Sequence, residues 1–230
     1  MIAKDDAFIV TIDEKKRLTN AEKEVILNSD IIISDVSLEK SEIATVLQNY
    51  KGTYLNSGKA EIVKGILSEK DEIDHILNIR DAFSEINPNK RGAYYDNAGT
   101  YIHLLDDTYT KLRERIQAYN QQSFIIVGQN LDNFLTDFGL QKHNSWTVST
   151  EGKTNRAILD EIEAILQAKK VWIVFVDPDV SRDIITKLKE KTQIQVYTLI
   201  TLEEDTSGWG YIRYIEKMIN IFVSAFDTYD

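Results

Sequence analysis

The sequence predicts an α/β protein of two lobes, each a mostly parallel sheet flanked by helices, joined by one long rigid spine helix. Three observations carry this. Short apolar segments alternate with amphipathic ones on both sides of the middle of the chain, the pattern of parallel βα units. Between them, Asn89 to Tyr119 runs without proline, and Tyr94, Ala98, Tyr101, Leu105, Tyr109, Leu112, Ile116 and Tyr119 recur at helical spacing. A helix of about 30 residues would be roughly 45 Å long, more than one domain of this size needs. Finally, 230 residues can bury one large core or two small ones. The expected division is residues 1–88 for the N-terminal lobe, 89–119 for the spine and 120–230 for the C-terminal lobe.

In order, Ala7 to Ile12 (AFIVTI) is expected to be a strand, and Thr19-Asn20-Ala21-Glu22 has capping-box form, opening a helix that ends near Asn28. Asp30 to Ser34 is a strand, Leu38 to Gln48 a helix and Gly52 to Leu55 a strand. Gly58 to Leu67 fits no single pattern, and Asp71 to Ile86 is helical up to the break at Asn87-Pro88. Beyond the spine, Phe124 to Val127 is a strand, followed by a helix over Asn130 to Phe138 that Gly139 closes. Trp146 to Ser149 is a short strand, Asn155 to Ala168 an amphipathic helix, and Val171 to Val176 (VWIVFV) a buried strand. Ser181 caps a helix through Ile184, Ile185 and Leu188; Gln195 to Ile200 is a strand, and Trp209 to Phe226 a terminal helix.

Composition narrows the chemistry. A net charge of −10 excludes the basic face that a nucleic-acid partner requires. The absence of cysteine excludes disulfides, thiolate metal sites and thiol nucleophiles. No apolar run reaches the ~18 residues of a membrane span, and MIAKDDAF lacks the basic-then-apolar layout of a signal peptide. There is no dinucleotide or phosphate loop, no nucleophile elbow and no zincin helix. His75, His103 and His143 lie far apart in polar surroundings, where solvent-exposed imidazole is the expectation. With no nucleophile–base pair, an enzyme is not expected.

Carboxylates at strand ends say more. Asp177 and Asp179 follow the buried strand ending at Val176, in the place where α/β folds gather ligands. Glu203, Glu204 and Asp205 follow the last strand, and Asp13 and Glu14 the first. Taken alone, these fit solvated loop acids and helix N-caps as well as a hard-cation site of oxygen ligands.

Four segments in order resemble one family. Thr19 to Val36 (TNAEKEVILNSDIIISDV) is similar to its "TPSD…L..ADLI..NG" stretch, and Ile86 to Asn97 (INPNKRGAYYDN) to the "DPNN…Y..N" opening of its spine. Phe124 to Leu140 resembles its "IVT(H/E)..AF.YF...YG" segment, and Val174 to Val180 (VFVDPDV) its "IFVE" segment. The family is the zinc/manganese-type solute-binding proteins of ABC importers, also called metal-binding lipoprotein adhesins, and this chain is a divergent member by that resemblance. The resemblance implies two α/β lobes closing on one zinc or manganese ion, delivery to a membrane permease, a monomer, and tethering on the extracellular side of the cytoplasmic membrane. It also implies that the family's first strand and helix are missing or clipped from the N-terminal lobe, which would expose a sheet edge.

The ligand slots depart from the family pattern. The first histidine slot falls on Glu14, the second on Lys64, the third on Gly128 or Gln129, and the fourth, an aspartate, on Glu203. Asp177 is a further cleft candidate. Zinc favours neutral imidazole in tetrahedral sets, and a lysine ammonium offers no lone pair. The resemblance therefore implies a degenerate site. Its sharper form has Lys64 standing where the metal would be, held between Glu14 and Glu203 by charge-assisted hydrogen bonds, with no metal bound. A protein of that kind could serve in interaction or adhesion rather than transport.

Overall fold

The computed structural model describes residues 17–34, 42–56, 68–128, 131–140, 145–191, 194–200 and 210–228. These fall into two compact units, one within Met1–Val63 and Lys70–Leu104, the other within Lys64–Glu69 and Leu105–Asp230.

In the first unit, helix α1 (Asn20–Asn28) opens on the expected capping box. The Thr19 hydroxyl accepts the Glu22 N–H at 3.2 Å, and the Glu22 carboxylate accepts the Thr19 N–H at 2.7 Å. Strand β1 (Ile31–Ser34), helix α2 (Glu42–Leu47) and strand β2 (Thr53–Asn56) follow, and β1 pairs with β2 in parallel. Leu18, Ile26 and Ile43 form a small core, with Ile32, Val46 and Leu47 packed against it. Glu42 fastens α2 to the start of α1: its carboxylate accepts the Leu18 N–H at 3.0 Å and pairs with Lys23 at 2.6 Å. The expected strand at Ala7 to Ile12 and the segment Gly58 to Leu67 lie outside the described residues, as does the start of the helix expected from Leu38.

Helix α3 (Glu69–Ile86) begins two residues before the expected Asp71. A tertiary contact explains the difference. The Glu69 N–H donates to the Asp137 carboxylate at 2.7 Å, satisfying a first-turn donor that the sequence pattern leaves open. The long helix α4 (Arg91–Ile116) is flanked by 3-10 turns at Pro88–Lys90 and Gln117–Tyr119. Its stripe is where periodicity places it: Tyr94, Ala98, Leu105, Tyr109, Leu112 and Ile116 are buried, and Tyr101 and Tyr119 half-buried. Phe83 of α3 meets Tyr94 at a ring separation of 5.7 Å.

The second unit holds strands β3 (Phe124–Val127), β4 (Ser145–Val148), β5 (Ile173–Val176) and β6 (Gln195–Thr198) in the parallel order β4-β3-β5-β6. Helices α5 (Asp132–Asp137), α6 (Asn155–Lys169), α7 (Arg182–Lys189) and α8 (Gly210–Asp227) connect and cover them. Both central strands are buried throughout, as their unbroken apolar runs predict for a sheet covered on two faces. Ile125, Val127, Val174 and Val176 pack with Ile158 and Ile162 of α6 and Ile184 and Leu188 of α7. Phe124 and Phe175 point the other way: Phe124 meets Phe222 of α8 edge-on at 5.6 Å, and Phe175 stacks on Phe222 at 4.1 Å. Thr154 and Ser181 cap α6 and α7, the second as expected. Gly139, with φ +67, ends α5 as expected.

Candidate functional site

In the second unit, β3 leads by crossover to β4 on one side, and β5 leads to β6 on the other. The chain reverses direction of growth between β3 and β5, so the crevice beyond their carboxyl ends is the topological switch point where open parallel sheets bind ligands. Two residues meet there. The Asp177 N–H donates to the Val127 carbonyl at 2.9 Å, and the Gly128 N–H donates to the Val148 carbonyl at 3.0 Å, extending the sheet by one residue.

Gly128 has φ +121, a region L side chains rarely adopt. A Cβ there would lie 2.4 Å from the Asp177 Cβ and 3.4 Å from its Oδ2. Residue 128 can therefore carry no side chain while Asp177 stands beside it. Of the alternatives for the third ligand slot, Gly128 supplies no donor of its own, and Gln129 lies outside the described residues. Asp177 is only 7% exposed. Its Oδ1 accepts the Asp179 N–H at 3.0 Å, an Asx turn that shapes the loop into α7. Burial, with the Asp177 charge adding to it, pushes the phenol of the buried Tyr214 on α8 up to about 12, so that hydroxyl stays protonated.

Glu14, Lys64 and Glu203 also lie outside the described residues. Among the described residues no group of three or more histidines or carboxylates is placed to hold a metal ion. Of the histidines, His103 is exposed as expected, and His143 lies outside the described residues. His75 differs from the expectation: it is half-buried on α3. Beside it Glu72 is raised above the usual carboxylate range, chiefly by burial, and the nearby His75 partly offsets this. An oxygen donor such as Asp177 suits a hard cation better than zinc.

Sequence reasoning missed a second polar cluster in this unit. Arg113 pairs with the Glu69 carboxylate and donates through Nε to the Asp137 carbonyl at 2.7 Å. Its guanidinium also lies 5.3 Å from the Tyr109 ring. These residues are distant in sequence and match no motif. The cluster is structural, since it fastens the start of α3 to α4 and α5.

Comparison with known proteins agrees with this architecture. The profile of the family "Zinc-uptake complex component A periplasmic" (ZnuA) matches residues 67–225. The chain is 24% identical over 166 residues to the zinc-binding lipoprotein AdcA of Streptococcus pneumoniae strain R6, covering 70% of this chain and 33% of that protein. It thus spans about a third of the length of the curated relatives it matches. A periplasmic metal-binding protein from Candidatus Liberibacter asiaticus superposes with a TM-score of 0.75 at 18% identity, covering 98% of this chain and 93% of that one. Zn(II)-bound AdcA from Streptococcus pneumoniae gives 0.72 at 18% identity, covering 98% and 54%. The chain therefore belongs to the family of the periplasmic component A of zinc-uptake complexes, which are solute-binding proteins of transport and not enzymes.

Proposed function

We propose that this protein is the solute-binding component of a zinc/manganese-type ABC importer, carrying a rewritten metal site. The observation that carries this is the family match over residues 67–225, which takes in all of α3 and α4 and nearly the whole second unit. The names of its relatives support metal as cargo: one is a zinc-binding lipoprotein, and the Liberibacter protein has been solved with manganese and with cadmium bound. On this reading the partner is a membrane permease, and the protein works tethered on the outer side of the cytoplasmic membrane. Residues 1–88 and 120–230 are its lobes, and 89–119 the strut between them. The slots Glu14, Lys64, Gly128 or Gln129, and Glu203 hold oxygen donors and one ammonium instead of imidazoles, which favours manganese over zinc.

Isothermal titration calorimetry of the chelator-stripped protein with Mn2+ and with Zn2+ tests this. Saturable one-to-one binding of Mn2+, at least as tight as that of Zn2+, is the expected result; no binding of either ion overturns it.

Lys64 in a ligand slot favours a second reading, in which its ammonium replaces the metal between Glu14 and Glu203 and the scaffold serves in interaction or adhesion. Under it neither ion binds the wild type, and Lys64→Ala destabilises the protein. Under the first reading Lys64→Ala tightens metal binding, because a like charge leaves the site.

A further inference from the structure

We infer that Tyr109 and Tyr211 are positioning residues for cation binding: the contact between their hydroxyls fixes the first turn of α8 beside the switch-point crevice. This rests on the reading of the protein as a binder of divalent cations, and concerns the second unit alone.

Helices α4 and α8 lie side by side and run in the same direction, because their polar contacts advance together along both. The Tyr109 and Tyr211 hydroxyls are hydrogen-bonded at 3.1 Å. Further along, Arg115 donates to the side-chain carbonyl of Asn220, and the Tyr119 hydroxyl donates to the Asp227 carboxylate. On its other side α8 fully buries Ile215, Ile219, Phe222 and Phe226, and Phe222 stacks on Phe175 of β5 at 4.1 Å. Apolar burial is non-directional, so it holds the helix to the sheet without fixing its height along its own axis. Hydrogen bonds are short and directional, and these polar rungs set that height.

The rung at the start of α8 differs from the other two in being neutral, and in where it stands. Tyr109 is 1% exposed, its ring stacks on Phe138 at 5.0 Å, and the Arg113 guanidinium lies 5.3 Å from it. Its hydroxyl is therefore presented from an immobilised ring. Tyr211 is half-buried on the first turn of α8. One turn on, the buried Tyr214 feels the charge of Asp177, which sets this end of α8 by the carboxyl ends of β3 and β5. A shift of the first turn changes the crevice, whereas a change at Asp227 is felt at the far end of the helix.

The test uses the full chain, stripped with chelator, with Mn2+ and Zn2+ alone as probes. Tyr211→Phe and Tyr109→Phe each delete one hydroxyl and keep the ring. Each should weaken Mn2+ binding by about tenfold in calorimetry, with the thermal midpoint of the metal-free protein little changed. The double variant should bind no more weakly than either single one, because both remove the same contact. Tyr119→Phe removes the far rung, and should lower the midpoint while keeping the wild-type affinity. A lower midpoint with unchanged affinity in Tyr211→Phe overturns the inference and leaves the importer reading intact. An affinity loss in Tyr119→Phe equal to that in Tyr211→Phe overturns it as well, since position along α8 then has no bearing. Should Tyr109→Phe and Tyr211→Phe fail to fold, hydrogen exchange of the wild type decides. Mn2+ should slow the amides of Tyr214 and Ile215 more than those of Val223 and Ala225; equal change at both ends overturns the inference. A wild type that binds neither ion overturns both.

Discussion

The Gly128–Asp177 contact turns on one missing methyl group. In Gly128→Ala the new Cβ meets the Asp177 Cβ at 2.4 Å in a backbone region that disfavours any side chain, so strain and clash add. A loss of about 3 kcal/mol is expected by urea denaturation. Gly139→Ala is the control: its φ is +67, but nothing lies within 4 Å of the added Cβ, so the backbone term alone should cost about 1 kcal/mol. Equal losses at the two positions would refute the steric account of residue 128. Glu72 offers a second test at this scale. Its folded pKa is raised above the ordinary 4.5, chiefly by desolvation. The protonated form is thus favoured in the native state. No penalty exists below the unfolded value, and stability is lost as pH rises through that value towards the folded one. Glu72→Gln should accordingly stabilise the protein at neutral pH and change little under acid conditions, measured by denaturation at both.

At the scale of elements, local chemistry sets where helices begin, and tertiary contacts move their ends. Helix α1 starts at the capping box of the exposed Thr19 and the half-buried Glu22, so Thr19→Ala should cost about 1 kcal/mol and speed amide exchange in its first turn. Unchanged exchange there would mean that Leu18 and Ile26, buried against Ile43, hold the helix without its cap. The stripe on α4 was legible because burial follows the 3.6-residue repeat over the length of the helix. The start of α3 was not, because it depends on Asp137 and Arg113, which no local window contains. Strand β5 runs two residues shorter than its apolar run: Val171 precedes it, yet is buried like the strand itself. Hydrophobicity reports burial, and ladder pairing is a narrower condition.

For the molecule as a whole, binding and stability are linked. A cation that loads the native state and not the unfolded chain stabilises it by about 2.7 kcal/mol at a hundredfold excess over its dissociation constant. Thermal scans should then show the midpoint rising with Mn2+ and returning to the metal-free value when a chelator is added. A midpoint indifferent to both would contradict metal as the cargo. The acidic balance, −10 overall, is compatible with a cationic cargo and opposes a polyanionic partner.

The sequence by itself determined the class of fold, the order of the elements and the family, because each of these is written in residues close together: a capping box, buried runs such as FIIV and IVFV, and a stripe repeating along one helix. It also marked Asp177 as an acid past a buried strand. What it could not contain is that Asp177 stands against Gly128. Those residues lie far apart in the chain and become neighbours only when β5 pairs with β3, putting Phe124 opposite Ile173 and Val127 opposite Val176. The clamp of Glu69, Arg113 and Asp137 has the same origin. Propensity and periodicity act within a turn or a strand, whereas a site is made by side chains that only the sheet order and helix packing bring together.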